Sequence, residues 1–141
     1  MRVFLCDYSG FILAIPMSSV CALMLYENEA RQTVEHNAEN GNTYISLPRL
    51  FELGEENIRH GIILKNTEDE DQNIDKNRTI ILTTEVKCET ELKDDEIYPL
   101  PKIFAIWRLS AMFSGIRFDS RPLLLLDTGQ LVQNLYKELT A

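Results

Sequence analysis

The chain has 141 residues, of which 45% are apolar and 26% charged, enough for one packed domain or two small fused lobes. Its net charge is −8, which sets it against nucleic acid and anionic membrane surfaces as electrostatic partners. Its apolar runs fall far short of the roughly 20 residues a membrane-spanning helix needs. Three cysteines, Cys6, Cys21 and Cys88, are odd in number and widely spaced, as reduced thiols of a cytoplasmic protein would be. The opening stretch, 1–13, has one cation, an early Asp7 and no small-residue cleavage site, so it reads as folded sequence and not as a secretion signal.

Residues 2–8 form a short strand with apolar residues on both faces, Val3 and Leu5 against Phe4 and Cys6. Ser9-Gly10 signals a two-residue hairpin, and 11–15 is the return strand, broken by Pro16. Met17, Val20, Cys21 and Met24 then recur at helical spacing, which predicts a short helix or turn. Residues 26–42 are polar and rich in Asn and Glu, and read as a surface loop. A strand follows at 44–47, ended by Pro48, with a short apolar-faced turn at 49–53 and a further strand at 60–65.

Residues 66–77 carry Glu68, Asp69, Glu70, Asp71 and Asp75 against Lys76, a net charge of −4. The run has no Gly and no calcium-loop spacing, so it reads as a solvated loop near the boundary between two lobes. Residues 79–86 form a strand of high β propensity, and 87–96 alternate weakly. Pro99 and Pro101 make 97–101 extended. Gly115 lies inside the strand 113–118, which predicts a bulge or a close backbone approach. Leu123, Leu124, Leu125 and Leu126 read as a buried strand. Leu131, Val132, Leu135 and Leu139 mark a terminal amphipathic helix, with Asp127 or Thr128 as its N-cap. Eight to ten short strands and no long amphipathic helix make an all-β barrel or sandwich the expected fold.

Chemistry is sparse. Asp127-Thr128-Gly129 after an apolar strand resembles the active-site turn of aspartic proteases, in which two such aspartates share a proton. Only twelve residues follow Gly129, too few for the rest of a protease lobe, and the simpler reading is a helix cap. His36 and His60 have no ligand-spaced neighbours, so no metal is expected. His36 reads as solvated and His60 as half-buried. Cys6 and Cys21 read as core thiols, Cys88 as exposed, and the lone Trp107 as packed. Asn77-Arg78-Thr79 spells a glycosylation sequon, read as chance in the absence of a secretion signal. No phosphate loop, dinucleotide fingerprint or nucleophile elbow occurs, and no cofactor is expected.

The order of motifs resembles that of CheW-like domains. Val3-Phe4-Leu5-Cys6, the Ser9-Gly10 turn and Phe11-Ile12-Leu13-Ala14-Ile15-Pro16-Met17 with Val20 are similar to the opening of that family. Tyr44-Ile45-Ser46-Leu47-Pro48-Arg49-Leu50-Phe51 is similar to its Pro-apolar-apolar-Asp-Leu-Arg-x-x-Phe segment. Residues 78–86, then Ile97-Tyr98-Pro99-Leu100-Pro101, and finally Ser114-Gly115-Ile116, Arg121, the leucines 123–126, Asp127 and Leu131 resemble its later strings in order. The resemblance implies two small five-stranded SH3-like β-barrels packed side by side as one domain over 1–141. It also implies a non-catalytic cytoplasmic adaptor of chemotaxis signalling, joining chemoreceptor tips to a CheA-type histidine kinase.

There are departures. The family's Asn-Leu-Arg-Gly string is matched by His36-Asn37-Ala38-Glu39, so Ala38 stands in place of the arginine, and the loop 26–42 is shorter than usual. Ser46 replaces an aspartate, Leu47-Pro48 replaces Leu-Arg, and Ile80 replaces a glycine. By resemblance, Met17, Val20, Ala38 and Tyr44 are the expected partner-contacting residues. Met17 and Val20 match apolar positions near the family's receptor-facing groove, and their spacing fits core packing equally well. The alternative reading is a CheW-like binding module diverted to another assembly, and a remote one is the protease.

Overall fold

The computed structural model describes residues 1–26, 32–52, 58–65, 77–107 and 109–140. Among these residues ten strands fall into two five-stranded sheets, and each sheet belongs to its own compact unit. The first unit comprises Met1–Ser18 and Lys87–Ala141, the second Ser19–Val86.

The sheet of the first unit has the order β8-β1-β2-β10-β9. Strands β1 (Arg2–Tyr8) and β2 (Phe11–Pro16) form the expected hairpin, Tyr8 opposite Phe11. Gly10 takes a left-handed φ of +93° at the turn, a conformation open to glycine at no steric cost. The Tyr8 and Phe11 rings stack 5.2 Å apart and brace the hairpin end. Strand β10 (Leu123–Leu126) lies parallel to β2, Leu124 opposite Leu13 and Leu125 opposite Ala14. A parallel strand in mid-sheet is covered on both faces, which is why four consecutive leucines suit it and all four are buried. Val3, Ala14, Leu92, Leu123 and Leu125 form one buried cluster, with Leu5, Ile12 and Ile97 packed at its rim.

Strand β9 (Phe113–Arg117) pairs antiparallel with β10, and the register slips between Leu125 and Leu126, leaving Ser114 as the extra residue of a bulge. Directly after it, a Cβ on Gly115 would run into the Ile97 side chain and lie 3.2 Å from the Tyr98 carbonyl. Both devices foreseen for this glycine, bulge and close approach, therefore operate side by side. Tyr98 and Ile116 exchange backbone hydrogen bonds of 2.9 Å, seating the extended 97–101 stretch on the edge of β9. Trp107 is packed as expected, stacked on Phe113 at 5.4 Å and tilted against Phe104. The terminal helix α2 (Thr128–Thr140) buries Leu131 and Leu135.

Strand β8 (Val86–Glu91) is tied to β1 by charge as well as by pairing. Asp7 sits between two cations, Lys87 Nζ at 2.8 Å and Arg121 Nη2 at 2.8 Å, and Arg121 Nη1 also donates to the Tyr8 carbonyl. The Lys87 hydrogen bond, with that of Arg121, holds the Asp7 carboxyl below its usual range, and partial burial opposes them.

The sheet of the second unit has the order β3-β6-β7-β5-β4. Strand β3 (Val20–Leu25) replaces the helix that the spacing of Met17, Val20, Cys21 and Met24 predicts, and only Met17–Ser19 forms a helical turn, of the tight 3-10 kind. Every residue of β3 is apolar, so its sequence carries no period, and pairing with β6 (His60–Leu64) decides the outcome. Strand β4 (Val34–His36) lies within the stretch expected to be loop. It is three residues long with one apolar residue, too faint to read locally, and it is held by pairing to β5 (Thr43–Ser46). Strand β5 in turn runs parallel to β7 (Thr79–Thr83). Ser46 caps the four-residue helix α1 (Leu47–Leu50), its Oγ accepting the Arg49 N–H at 3.4 Å, with Pro48 in the first turn.

The chain crosses between units at Ser18/Ser19 and again at Val86/Lys87, whereas 66–77 fall inside the span of the second unit. Partition into units follows strand pairing. Of the acidic run, residues 66–76 lie outside the described residues; Asn77 is described and donates its N–H to the Asn40 carbonyl at 2.9 Å.

Two stability measurements follow from these contacts. Because the Asp7 carboxyl is depressed in the fold, its contribution is fully present above its unfolded value of about 3.9 and is lost as pH falls through the lower folded value. The urea midpoints of the parent and Asp7→Asn should therefore differ at pH 7 and converge below about pH 4. His60 Nδ1 accepts the Val86 N–H at 2.9 Å. His60→Leu should cost about 1 kcal/mol by leaving that donor without its acceptor, and His60→Asn, whose amide oxygen can take the place of Nδ1, should recover part of the loss in the same denaturation assay.

Candidate partner-binding surface

Among the described residues, strand β3 is the terminal strand of its sheet, and it has no charged residue along its length. Its register on β6 shifts between Val20 and Ala22, so Cys21 is the extra residue of a bulge. Beyond the bulge the strand alternates. Ala22 and Met24 turn toward a cluster built on Ile63, Ile80 and Leu82. Met24 lies against Gly61, where a Cβ would come 2.9 Å from its Cγ, so the glycine makes room for the thioether. Leu23 and Leu25 turn the other way and stand 41% and 74% exposed. An uncharged terminal strand with exposed leucines is uncommon, because such edges invite pairing and are normally guarded by charge or proline.

Tyr44 sits in β5 and packs half-buried into the same cluster as Ala22 and Met24, beside Tyr26 and Ile58. The Tyr26 and Tyr44 rings lie 6.0 Å apart and tilted by 38°. Burial pushes the Tyr26 hydroxyl above its usual range, and the negative charge of Glu35 and then Tyr44 add to the effect.

Ala38 occupies the exposed tip of the connection between β4 and β5, and asparagines build that tip. Asn37 Oδ1 accepts the Glu39 N–H at 2.9 Å, and Asn40 Oδ1 accepts the Asn42 N–H at 2.9 Å. Asn42 Oδ1 accepts the Arg78 N–H at 2.9 Å, which ties the tip to the entry of β7. Gly41 has a φ of +73°, and a Cβ there would collide with the Asn77 side chain. The position that resemblance assigns to an arginine is thus an exposed methyl group.

The four expected contact residues divide between the two units. Met17 is half-buried in the turn that closes the first unit, whereas Val20, Ala38 and Tyr44 belong to the second. Val20 is half-buried at the start of β3, opposite Leu64. Reading Met17, Val20, Cys21 and Met24 as a short helix or turn misses the alternation of β3 that leaves Leu23 and Leu25 exposed, and an all-apolar strand does not by itself signal which face meets solvent. For the same reason Cys21, expected in the core, is exposed in the bulge, while Cys6 is buried and Cys88 exposed as expected.

The Asp127-Thr128-Gly129 turn is a helix cap. Asp127 Oδ1 accepts the Gln130 N–H at 3.1 Å, and its carbonyl accepts the Leu131 N–H at 3.0 Å. His36 Nδ1 lies 3.2 Å from Thr43 Oγ1, and His60 serves the Val86 amide, so each ring has a structural partner. Among the described residues no group of His, Cys, Asp or Glu is placed to hold a metal ion, and no helix is long and apolar enough to cross a membrane.

No protein-family model matches the chain, and no curated protein matches it. Solved structures do. One is the scaffolding protein TtCheW from Thermoanaerobacter tengcongensis, 12% identical, with 89% of this chain and 83% of that chain covered at a TM-score of 0.63. The fold is therefore CheW-like: mostly β, with two five-stranded sheets and few short helices.

The contrast between exposed and buried apolar residues can be measured. Leu25→Lys should change the unfolding free energy by no more than about 0.5 kcal/mol. Leu82→Ala, in the buried cluster, should cost about 2–5 kcal/mol in the same denaturant titration.

Proposed function

We propose that this chain is a non-catalytic adaptor that couples chemoreceptor cytoplasmic tips to a CheA-type histidine kinase. The observation that carries the reading is the likeness, over 89% of the chain, to a protein described as a scaffold. The motif order set out above supports it. The surface chemistry is in keeping as well. An adaptor without chemistry binds through a few apolar anchors, and Leu23 and Leu25 on β3 supply exposed ones without a competing charge. Met17, Val20 and Tyr44, half-buried, are proposed as further contacts. Met17 suits a surface that must adapt to a partner's shape.

A second reading keeps the adaptor and changes the assembly. Ala38 favours it, since an exposed methyl group stands where resemblance places an arginine. Loss of that cation removes a point at which a standard partner would be oriented, and an assembly with other components would not need it.

The test is reconstitution. The purified chain, mixed with a CheA-type kinase and receptor cytoplasmic fragments, should co-sediment with both and alter kinase autophosphorylation. Failure to bind either component overturns the coupling role and leaves the second reading. Val20→Glu and Leu25→Lys should each weaken binding by more than about 2 kcal/mol, about 30-fold in Kd, with the circular dichroism spectrum unchanged. Because the anchors are apolar, raising the salt concentration should alter the parent's affinity little. An unfolded Val20→Glu would assign Val20 to the core, and the Leu25→Lys result then decides whether β3 is the contact.

A further inference from the structure

We draw no further inference here: the strongest candidate outside the surface already described, the exposed Tyr98 and Phe118 side chains beside strand β9 of the first unit, is an apolar patch, and nothing in the structure shows what covers it.

Discussion

The parallel pairing of β10 on β2 is the contact on which the first unit depends. It sets Leu123, Leu124 and Leu125 against Ile12, Leu13 and Ala14, more than a hundred positions earlier in the chain. Parallel neighbours cannot be joined by a tight turn, so a long connection must separate them. Here the whole second unit lies in that connection, together with β8 and β9. The loop-closure cost of such a pairing is entropic and grows only slowly with length, and it is offset by burying four leucines on a central strand. Arg121, just before β10, reinforces the same junction through Asp7 and the Tyr8 carbonyl. The other members of the sheet follow from it. Strand β9 folds back on β10 through a bulge, and the 97–101 stretch docks on β9 because Gly115 leaves room.

The second unit uses the same device at shorter range. Strands β5 and β7 run parallel, Ile45 beside Ile81, and the helix α1 leaves the end of β5 under a serine cap. Central strands buried on both faces leave the chemistry of recognition to the margins. At one margin the asparagine-built tip carries Ala38, and at the other β3 carries Leu23 and Leu25. The amide side chains of the polar tip satisfy backbone donors that would otherwise need water. The apolar margin is the costly feature, since exposed leucines on an uncharged edge invite association. A protein that works by docking has a use for such a margin, and this gives the adaptor reading a physical footing beyond likeness of fold.

Three titratable groups have structural roles. Asp127 caps α2, His60 accepts the amide at the exit from the second unit, and Asp7 joins β1, β8 and the approach to β10. Each has a partner that accounts for its position: Asp127 of the Asp-Thr-Gly string is a helix cap and His60 an acceptor for the Val86 amide.

Much of the architecture was legible in the chain by itself. The hairpin at Ser9-Gly10, the buried strand of four leucines, the bulge or close approach at Gly115 and the Asp127 cap are all local matters. A turn residue, a run length, a missing Cβ and a capping carboxylate act within a few positions of themselves. Tertiary structure alone decided the rest. Val20–Leu25 is apolar throughout, fits either period, and became a strand because β6 was there to pair with it. Val34–His36 is too short to signal anything without β5. The crossings at Ser18/Ser19 and Val86/Lys87 depend on which distant strands share hydrogen bonds. So does the exposure of Cys21, Leu23 and Leu25, because the side of a strand that faces solvent is fixed by register with its partner, and register between segments some forty residues apart is not written in either segment alone.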